Sequence, residues 1–245
     1  MHEIAIIILS CDRFEPTWKP CIDHLFNIIP KNKFKIYLLN NLKESNDKRV
    51  QDLKVGEDLN WSDSLIKGLK LIKEERVFFI YDDTFITYFN TSEVLEIFKL
   101  TIDNKLDSVS FKKNPFDKGI FYNSKLSKFN KKTKYKTALH LNLFRKEVLL
   151  SLLKSGENAW QFEKDGNQRS FNVDFYFVKE TLINYKHGIV KGKWLPSTKK
   201  YLLENGYSFH ENDFETFSYF KVFQMNIYRL FFIVGNKLLN LFRFS

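Results

Sequence analysis

Six consecutive apolar residues, Ile4-Ala5-Ile6-Ile7-Ile8-Leu9, begin the hydrophobic pattern. A continuous β-branched run of that length predicts a strand buried on both faces, as in a parallel sheet. Beyond the loop Ser10 to Pro20, Cys21 to Ile29 reads as a helix closed by Pro30, and Lys35-Ile36-Tyr37-Leu38-Leu39 as a second strand ending in Asn40-Asn41, which together make a βαβ unit. Leu65, Ile66, Leu69 and Ile72 recur at helical spacing, predicting a helix from Asp63 to about Lys73 capped by Ser62. A second buried run, Val77-Phe78-Phe79-Ile80-Tyr81, delivers Asp82-Asp83 into the next loop, and a helix follows from near Thr91 to about Asn104. Strands alternating with helices predict an α/β fold with a mostly parallel central sheet. From Ser108 the pattern shortens to strands at Ser108 to Lys112, Ile120 to Tyr122 and Tyr135 to Phe144, then helices from Arg145 to Leu153 and near Val173 to Leu182, with Trp160-Gln161-Phe162-Glu163 between them. A mixed second half is expected, and there is no internal repeat.

The 245 residues suffice for one large α/β domain, expected over 1–210, and a tail over 211–245. With 44% apolar and 17% aromatic residues the chain is expected to fold despite its many lysines. A net charge of +10 favours phosphate-rich ligands, anionic membranes or nucleic acid. Paired carboxylates on Mg²⁺ would also suit a metal-dependent nucleotidyl or phosphoryl transferase, but among only 9 glycines no phosphate-cradling loop is present, which counts against it. No helix-turn-helix, zinc or RNP-type signature supports a nucleic-acid-binding protein. Cys11 and Cys21 have no metal-type partners in the sequence, and a reducing cytoplasm fits them best. The first apolar run lacks the basic lead-in of a secretory signal and no stretch reaches the ~20 apolar residues of a spanning helix, so a soluble or peripheral protein is expected.

In open α/β sheets ligands bind beyond the carboxyl ends of the strands, so the loops carrying Ser10-Cys11-Asp12-Arg13, Asn40-Asn41 and Asp82-Asp83 should converge. Adjacent carboxylates at a strand end either hold one Mg²⁺ or Mn²⁺ with positions open for phosphate oxygens, or simply end the strand as turn formers. Asp12 either accepts from a base or ribose and Arg13 meets phosphate, or the two form a surface pair. Trp61 stacks on a base or sugar, or packs as a staple before its helix. His140 is a possible site residue or a hydrogen-bonded strand histidine.

The order Ile4 to Arg13, Asn60-Trp61-Ser62-Asp63-Ser64-Leu65, Phe79-Ile80-Tyr81-Asp82-Asp83-Thr84-Phe85, Ala138 to Lys146 and Trp160-Gln161-Phe162-Glu163 resembles bacterial GT-A fold glycosyltransferases that build surface polysaccharides such as capsule and lipopolysaccharide, over roughly residues 1 to 200. The resemblance implies a nucleotide-sugar donor such as a UDP-sugar, a glycan or lipid-linked acceptor, and an acidic motif, often Asp-x-Asp, for metal and diphosphate. By that analogy Asp83 is the metal ligand and Asp82 faces the donor's ribose or sugar; here the motif is a bare Asp-Asp preceded by Tyr81. Ser10, Asp12, Arg13, Asn40, Trp61, Asp82 and His140 are the expected nucleotide-sugar contacts. An inverting transferase also needs a carboxylate base for the acceptor hydroxyl. Glu163 is the first candidate, in an aromatic setting formed by Trp160 and Phe162, and Asp174 is the reserve; the alternative makes the aromatics core and Glu163 a surface acid.

Two basic features remain. Lys125 to Lys136 is lysine-dense and either gathers an anionic partner or is solvated. From Phe217 to Ser245 a helical wheel separates Lys221, Arg229, Lys237, Asn240 and Arg243 from Phe223, Ile227, Leu230, Phe231, Val234, Leu238, Leu241 and Phe242. Such a helix lies in the interface of an anionic membrane, here the inner face of the cytoplasmic membrane, or packs on its own domain or on a second subunit in a homodimer.

Overall fold

In the computed structural model β1 (Ile4–Leu9) is buried at every position, as its unbroken apolar run requires. It lies between parallel neighbours β2 (Lys35–Asn40) and β4 (Arg76–Tyr81), with β3 (Gln51–Lys54) outside β2. Leu9 stands opposite both Leu39 and Tyr81, so the carboxyl ends of three strands are level and their loops emerge side by side. The structure describes residues 3–30, 33–57, 60–112, 117–210 and 213–228.

After β4 the pair Asp82-Asp83 forms a tight turn into β5 (Thr84–Phe89), a strand the sequence pattern did not predict. The second half adds β6 (Ser108–Ser110), β7 (Ile120–Phe121), β8 (Leu126–Lys128), β9 (Asn142–Arg145) and β10 (Phe175–Val178), giving the order β3-β2-β1-β4-β9-β6-β10-β8-β7. β9 runs antiparallel to β4 and to β6, while β10 runs parallel to β6, so the expected mixed character begins at β9. The helix expected near Val173 to Leu182 does not form. Its Phe-Tyr-Phe-Val core is buried between β6 and β8, where ladder pairing and aromatic packing outweigh the helical spacing. The strand expected over Tyr135 to Phe144 shrinks to β9, because Leu141 turns left-handed at φ 52° to give its N–H to the Phe79 carbonyl at 2.8 Å.

Helix α1 (Glu15–Phe26) begins inside the expected loop, with Pro16 pre-setting φ in its first turn. Helix α2 (Trp61–Leu71) is capped by Asn60, whose side chain accepts from the Asp63 N–H, rather than by Ser62. The Ser62 hydroxyl instead accepts from the Glu157 N–H at 3.0 Å. Helices α3 (Thr91–Asp103) and α4 (Lys146–Leu152) follow as expected, and α5 (Ala159–Gln161), a π-helical turn over Phe162–Gly166 and α6 (Asn167–Arg169) form one helical segment. The core gathers fully buried Phe78, Phe79, Phe144, Phe162 and Phe175, each burying enough apolar surface to contribute ~1.5–3 kcal/mol.

The chain divides into two compact units, one within Met1–Lys113 and Gly119–Tyr185, the other within Asn114–Lys118 and Lys186–Ser245. The second contains the hairpin β12 (Ile189–Val190) and β13 (Lys193–Trp194) and the helix α7 (Pro196–Glu204), numbered after β11 (Ile183–His187), which pairs with β5. Its centre is Trp194, fully buried against Phe209 at 4.7 Å and Phe214 at 6.4 Å between ring centres. Residues 219–228 are helical, and the remainder of the predicted amphipathic tail, 229–245, lies outside the described residues.

Candidate active site

Level strand ends bring the first three loops together. Ser10 N–H donates to the Leu39 carbonyl at 3.0 Å and Asp82 N–H to the Leu9 carbonyl at 3.2 Å, tying the ends of β1, β2 and β4 into one rim. Above it lies a cleft of about 360 Å³ walled by Leu9, Ser10, Cys11, Phe14, Asn41, Asn60, Trp61, Tyr81 and Asp82 among others. Of the residues expected to contact a nucleotide sugar, Ser10, Trp61 and Asp82 line this cleft.

Asp82 and Asp83 are both buried. The Trp18 indole N–H donates to the Ser10 hydroxyl oxygen at 2.6 Å, and that hydroxyl donates in turn to Asp82. Burial, and then the charge of Asp83, push the Asp82 carboxyl well above its usual range against the pull of the Ser10 hydrogen bond. The same field is felt nearby: the Cys21 thiol is pushed up by burial, then by Asp82 and Asp83. The Tyr81 hydroxyl is pushed up by burial, then by Glu163, Asp83 and Asp82. Glu163 thus shares one electrostatic neighbourhood with the acid pair, although 80 residues separate it from Asp83 in the chain.

Glu163 sits on the π-helical turn, a distortion that recurs at functional sites. Burial raises its carboxyl while the Lys112 ammonium partly opposes the rise. The aromatic setting is not the expected one. Phe162 turns inward against Trp61, ring centres 5.5 Å apart, and a Cβ on Gly166 would stand 3.0 Å from its ring; Trp160 is 79% exposed. The turn is clamped from below by Arg169, whose guanidinium donates to both oxygens of buried Glu157 at 2.8 and 2.7 Å. Glu157 in turn exchanges hydrogen bonds with Ser62, its N–H donating to the hydroxyl and its carbonyl accepting the Ser62 N–H.

His140 leaves the predicted strand for the turn before β9. It stacks on Tyr81 at 5.0 Å and 8°, meets Tyr185 edge-on at 4.9 Å, and lies within hydrogen-bond reach of the Thr84 hydroxyl and, at 3.4 Å, of Lys112 Nζ. An ammonium only donates, so Nδ1 accepts and Nε2 carries the proton toward Thr84. The adjoining Leu141, left-handed without being glycine, carries strain of the kind that collects at functional sites.

Other expected contacts are placed differently. The Asp12 carboxylate accepts the backbone N–H groups of Asn41, Leu42 and Lys43 at 3.0–3.1 Å, so it shapes the loop after β2. Asn40 is fully buried, its amide donating to the Lys43 carbonyl and Asp52, and Arg13 is exposed. Asp174 is carried to the end of the sheet opposite the cleft. Phe175, Ser108, Phe144 and Val77 form one row across β10, β6, β9 and β4, which places Asp174 level with Arg76. The run from Arg76 to Asp82 then separates it from the acid pair by roughly 20 Å at ~3.3 Å per residue. There it pairs with Lys128 at 2.7 Å and Lys131 at 2.8 Å, and Lys125 of the same basic loop pairs with Glu93 and Glu96.

Lys112, Thr84, Glu157 and Arg169 escaped the sequence reading, since nothing local marks residues brought in by distant strands. Asn60 was legible as a helix cap from its type and position. Among the described residues no group of three or more His, Cys, Asp or Glu side chains could hold a metal, and no helix is long and apolar enough to cross a membrane.

The architecture is a GT-A-like, Rossmann-type nucleotide-binding fold. The crystal structure of S. aureus TarS 1–349 in complex with UDP-GlcNAc superposes with a TM-score of 0.53 at 14% identity, covering 79% of this chain and 60% of that one. Mannosyltransferase PcManGT from Pyrobaculum calidifontis, in complex with GDP-Man and Mn²⁺, gives a TM-score of 0.44 at 16% identity over 67% and 50% of the two chains. A UDP-glucose pyrophosphorylase complexed with UDP-glucose gives 0.47 at 10% identity over 77% and 93%. The chain spans 60% of the TarS structure, and at these identities the likeness is one of fold. No protein-family model matches the chain, and no curated protein matches it in sequence.

Proposed function

We propose that the protein is a glycosyltransferase that moves a sugar from a nucleoside-diphosphate sugar to a hydroxyl of a glycan or lipid-linked acceptor, with inversion, in bacterial surface polysaccharide synthesis on the cytoplasmic side. The observation that carries this reading is the juxtaposition of the cleft at the level ends of β1, β2 and β4 with the buried pair Asp82-Asp83 and with Glu163. The UDP-GlcNAc held by TarS in a like fold supports it.

In this reading the nucleoside lies in the cleft between Ser10 and Trp61, and Asp83 lies at the diphosphate. Asp82 and Asp83, two buried and adjacent carboxylates at a strand end, are the residues that would hold a divalent ion, since such ions take oxygen ligands. Such an ion, Mg²⁺ or Mn²⁺, supplies Lewis-acid stabilisation of the leaving diphosphate when bound. Glu163, its carboxyl raised by burial, is the base: the acceptor oxygen bonds to the anomeric carbon, the bond to the diphosphate breaks with its electron pair, and the acceptor proton passes to Glu163. His140, fixed in one tautomer, holds Tyr81 in place beside them.

The test is release of nucleoside diphosphate from a panel of UDP-, GDP- and CDP-sugars with Mn²⁺ present. Release from one nucleotide class, abolished by Asp83→Ala, is the expected result. Condensation of a sugar 1-phosphate with a nucleoside triphosphate to give the nucleoside-diphosphate sugar and pyrophosphate, without any such release, would indicate a nucleotidyltransferase and overturn the reading.

A further inference from the structure

From Thr216 to Ser245 the only charged side chains are Lys221, Arg229, Lys237 and Arg243, with no acid among them. Within this segment the helical residues 219–228 belong to the second compact unit. At 100° per residue Tyr219, Phe220, Phe223 and Ile227 fall within one arc of about 100°. They are 64%, 68%, 61% and 37% exposed, whereas Val222 and Met225, outside that arc, are half-buried. The helix therefore has one half-buried apolar side and leaves a second, aromatic one in water. Large apolar side chains grouped in this way, rather than scattered singly, mark a contact surface.

Charge chooses the occupant. A second copy would bring the same all-cationic segment against this one, whereas an anionic surface answers it. Phe, Tyr and Ile beside cations are also the composition of helices that lie in the plane of a bilayer interface. We propose that the face formed by Tyr219, Phe220, Phe223 and Ile227 docks the protein on an anionic lipid bilayer surface. This goes beyond the transferase reading and stands without it.

Co-sedimentation of the full chain with phosphatidylglycerol vesicles and with neutral phosphatidylcholine vesicles tests the proposal. Binding is expected to favour the anionic vesicles by about fivefold for each cation that reaches the surface, and to weaken in high salt. The double variant Phe220→Glu/Phe223→Glu should lose about tenfold or more of that binding, with its thermal transition kept, since both side chains are exposed. Equal binding of the wild type to both vesicles, or binding to neither, overturns the proposal whatever the variant does. Undiminished binding by the variant overturns it too. A concentration-dependent dimer in light scattering that the variant disperses, with no vesicle binding, would assign the face to a second copy.

Discussion

The two ends of the sheet treat the same residue type in opposite ways. At the carboxyl end Asp82 is buried beside another acid, hydrogen-bonded by the Ser10 hydroxyl and by backbone N–H groups, and its carboxyl is raised. At the amino end burial also pulls the Asp174 carboxyl upward, but hydrogen bonds and charge from Lys128 and Lys131 outweigh it and leave it lowered. Arg145 and Asp107 form a further ion pair there at 2.8 Å. At one end the acids are paired with cations; at the other Asp82 lines a cleft, and Asp83 and Glu163 share its electrostatic neighbourhood through Tyr81. Burying Asp82 beside Asp83 disfavours its charged form, which a ligand bringing a cation would relieve.

Four substitutions sharpen that contrast, beginning with the largest effect. Glu163→Gln should lower sugar transfer by about 10²–10⁴-fold while leaving nucleotide affinity unchanged, measured as initial rate and as calorimetric Kd. An unchanged rate would remove Glu163 from the chemistry. Asp83→Ala should weaken metal-dependent nucleoside diphosphate binding at least about tenfold, with binding in the absence of metal little altered.

Asp82→Asn should stabilise the ligand-free protein. Because the folded carboxyl is raised, the native state holds its proton where the unfolded chain, near its ordinary value of ~3.9, has lost it. Wild-type stability therefore falls as pH rises from that value to the native pKa, and the neutral variant escapes the loss. Thermal melts at neutral pH should show a rise of about 2–4 °C per kcal/mol relieved, shrinking toward acid pH; a lower Tm at neutral pH would contradict the assignment.

Asp174→Asn should change least. Its pairing with two lysines is partly exposed and screened, contributing less than about 1 kcal/mol. With a lowered folded pKa that contribution is present above the ordinary carboxylate range and is lost as pH falls through the folded value. Nucleotide binding should be unaffected, and a loss of turnover in this variant alone would reverse the assignment of the two ends.

How much of this was legible in the sequence follows from the same contrast. Ile4 to Leu9, Ile36 to Leu39 and Val77 to Ile80 were readable because full burial writes an unbroken apolar run, and the loops after them inherit their positions from those strands. β5 was not, since its Thr84 follows the Asp-Asp turn with no breaker between the strands. The strand Phe175–Val178 was hidden behind a helix-like spacing, and strand direction leaves no local trace at all. That is why Asp174 could stand as the reserve base behind Glu163, and the register places it at the far end of the sheet from the cleft. The Arg169–Glu157–Ser62 clamp joins residues up to 107 positions apart and has no sequence signal.

The most direct test is calorimetric titration of UDP, GDP, CDP and CMP, with and without Mn²⁺, into the wild type, Asp83→Ala and Asp174→Asn. The account predicts that one diphosphate binds with Mn²⁺, that Asp83→Ala loses this binding, and that Asp174→Asn keeps it. Absence of binding by every nucleotide under both metal conditions, or equal loss in the two variants, would contradict a donor site at the carboxyl end of the sheet.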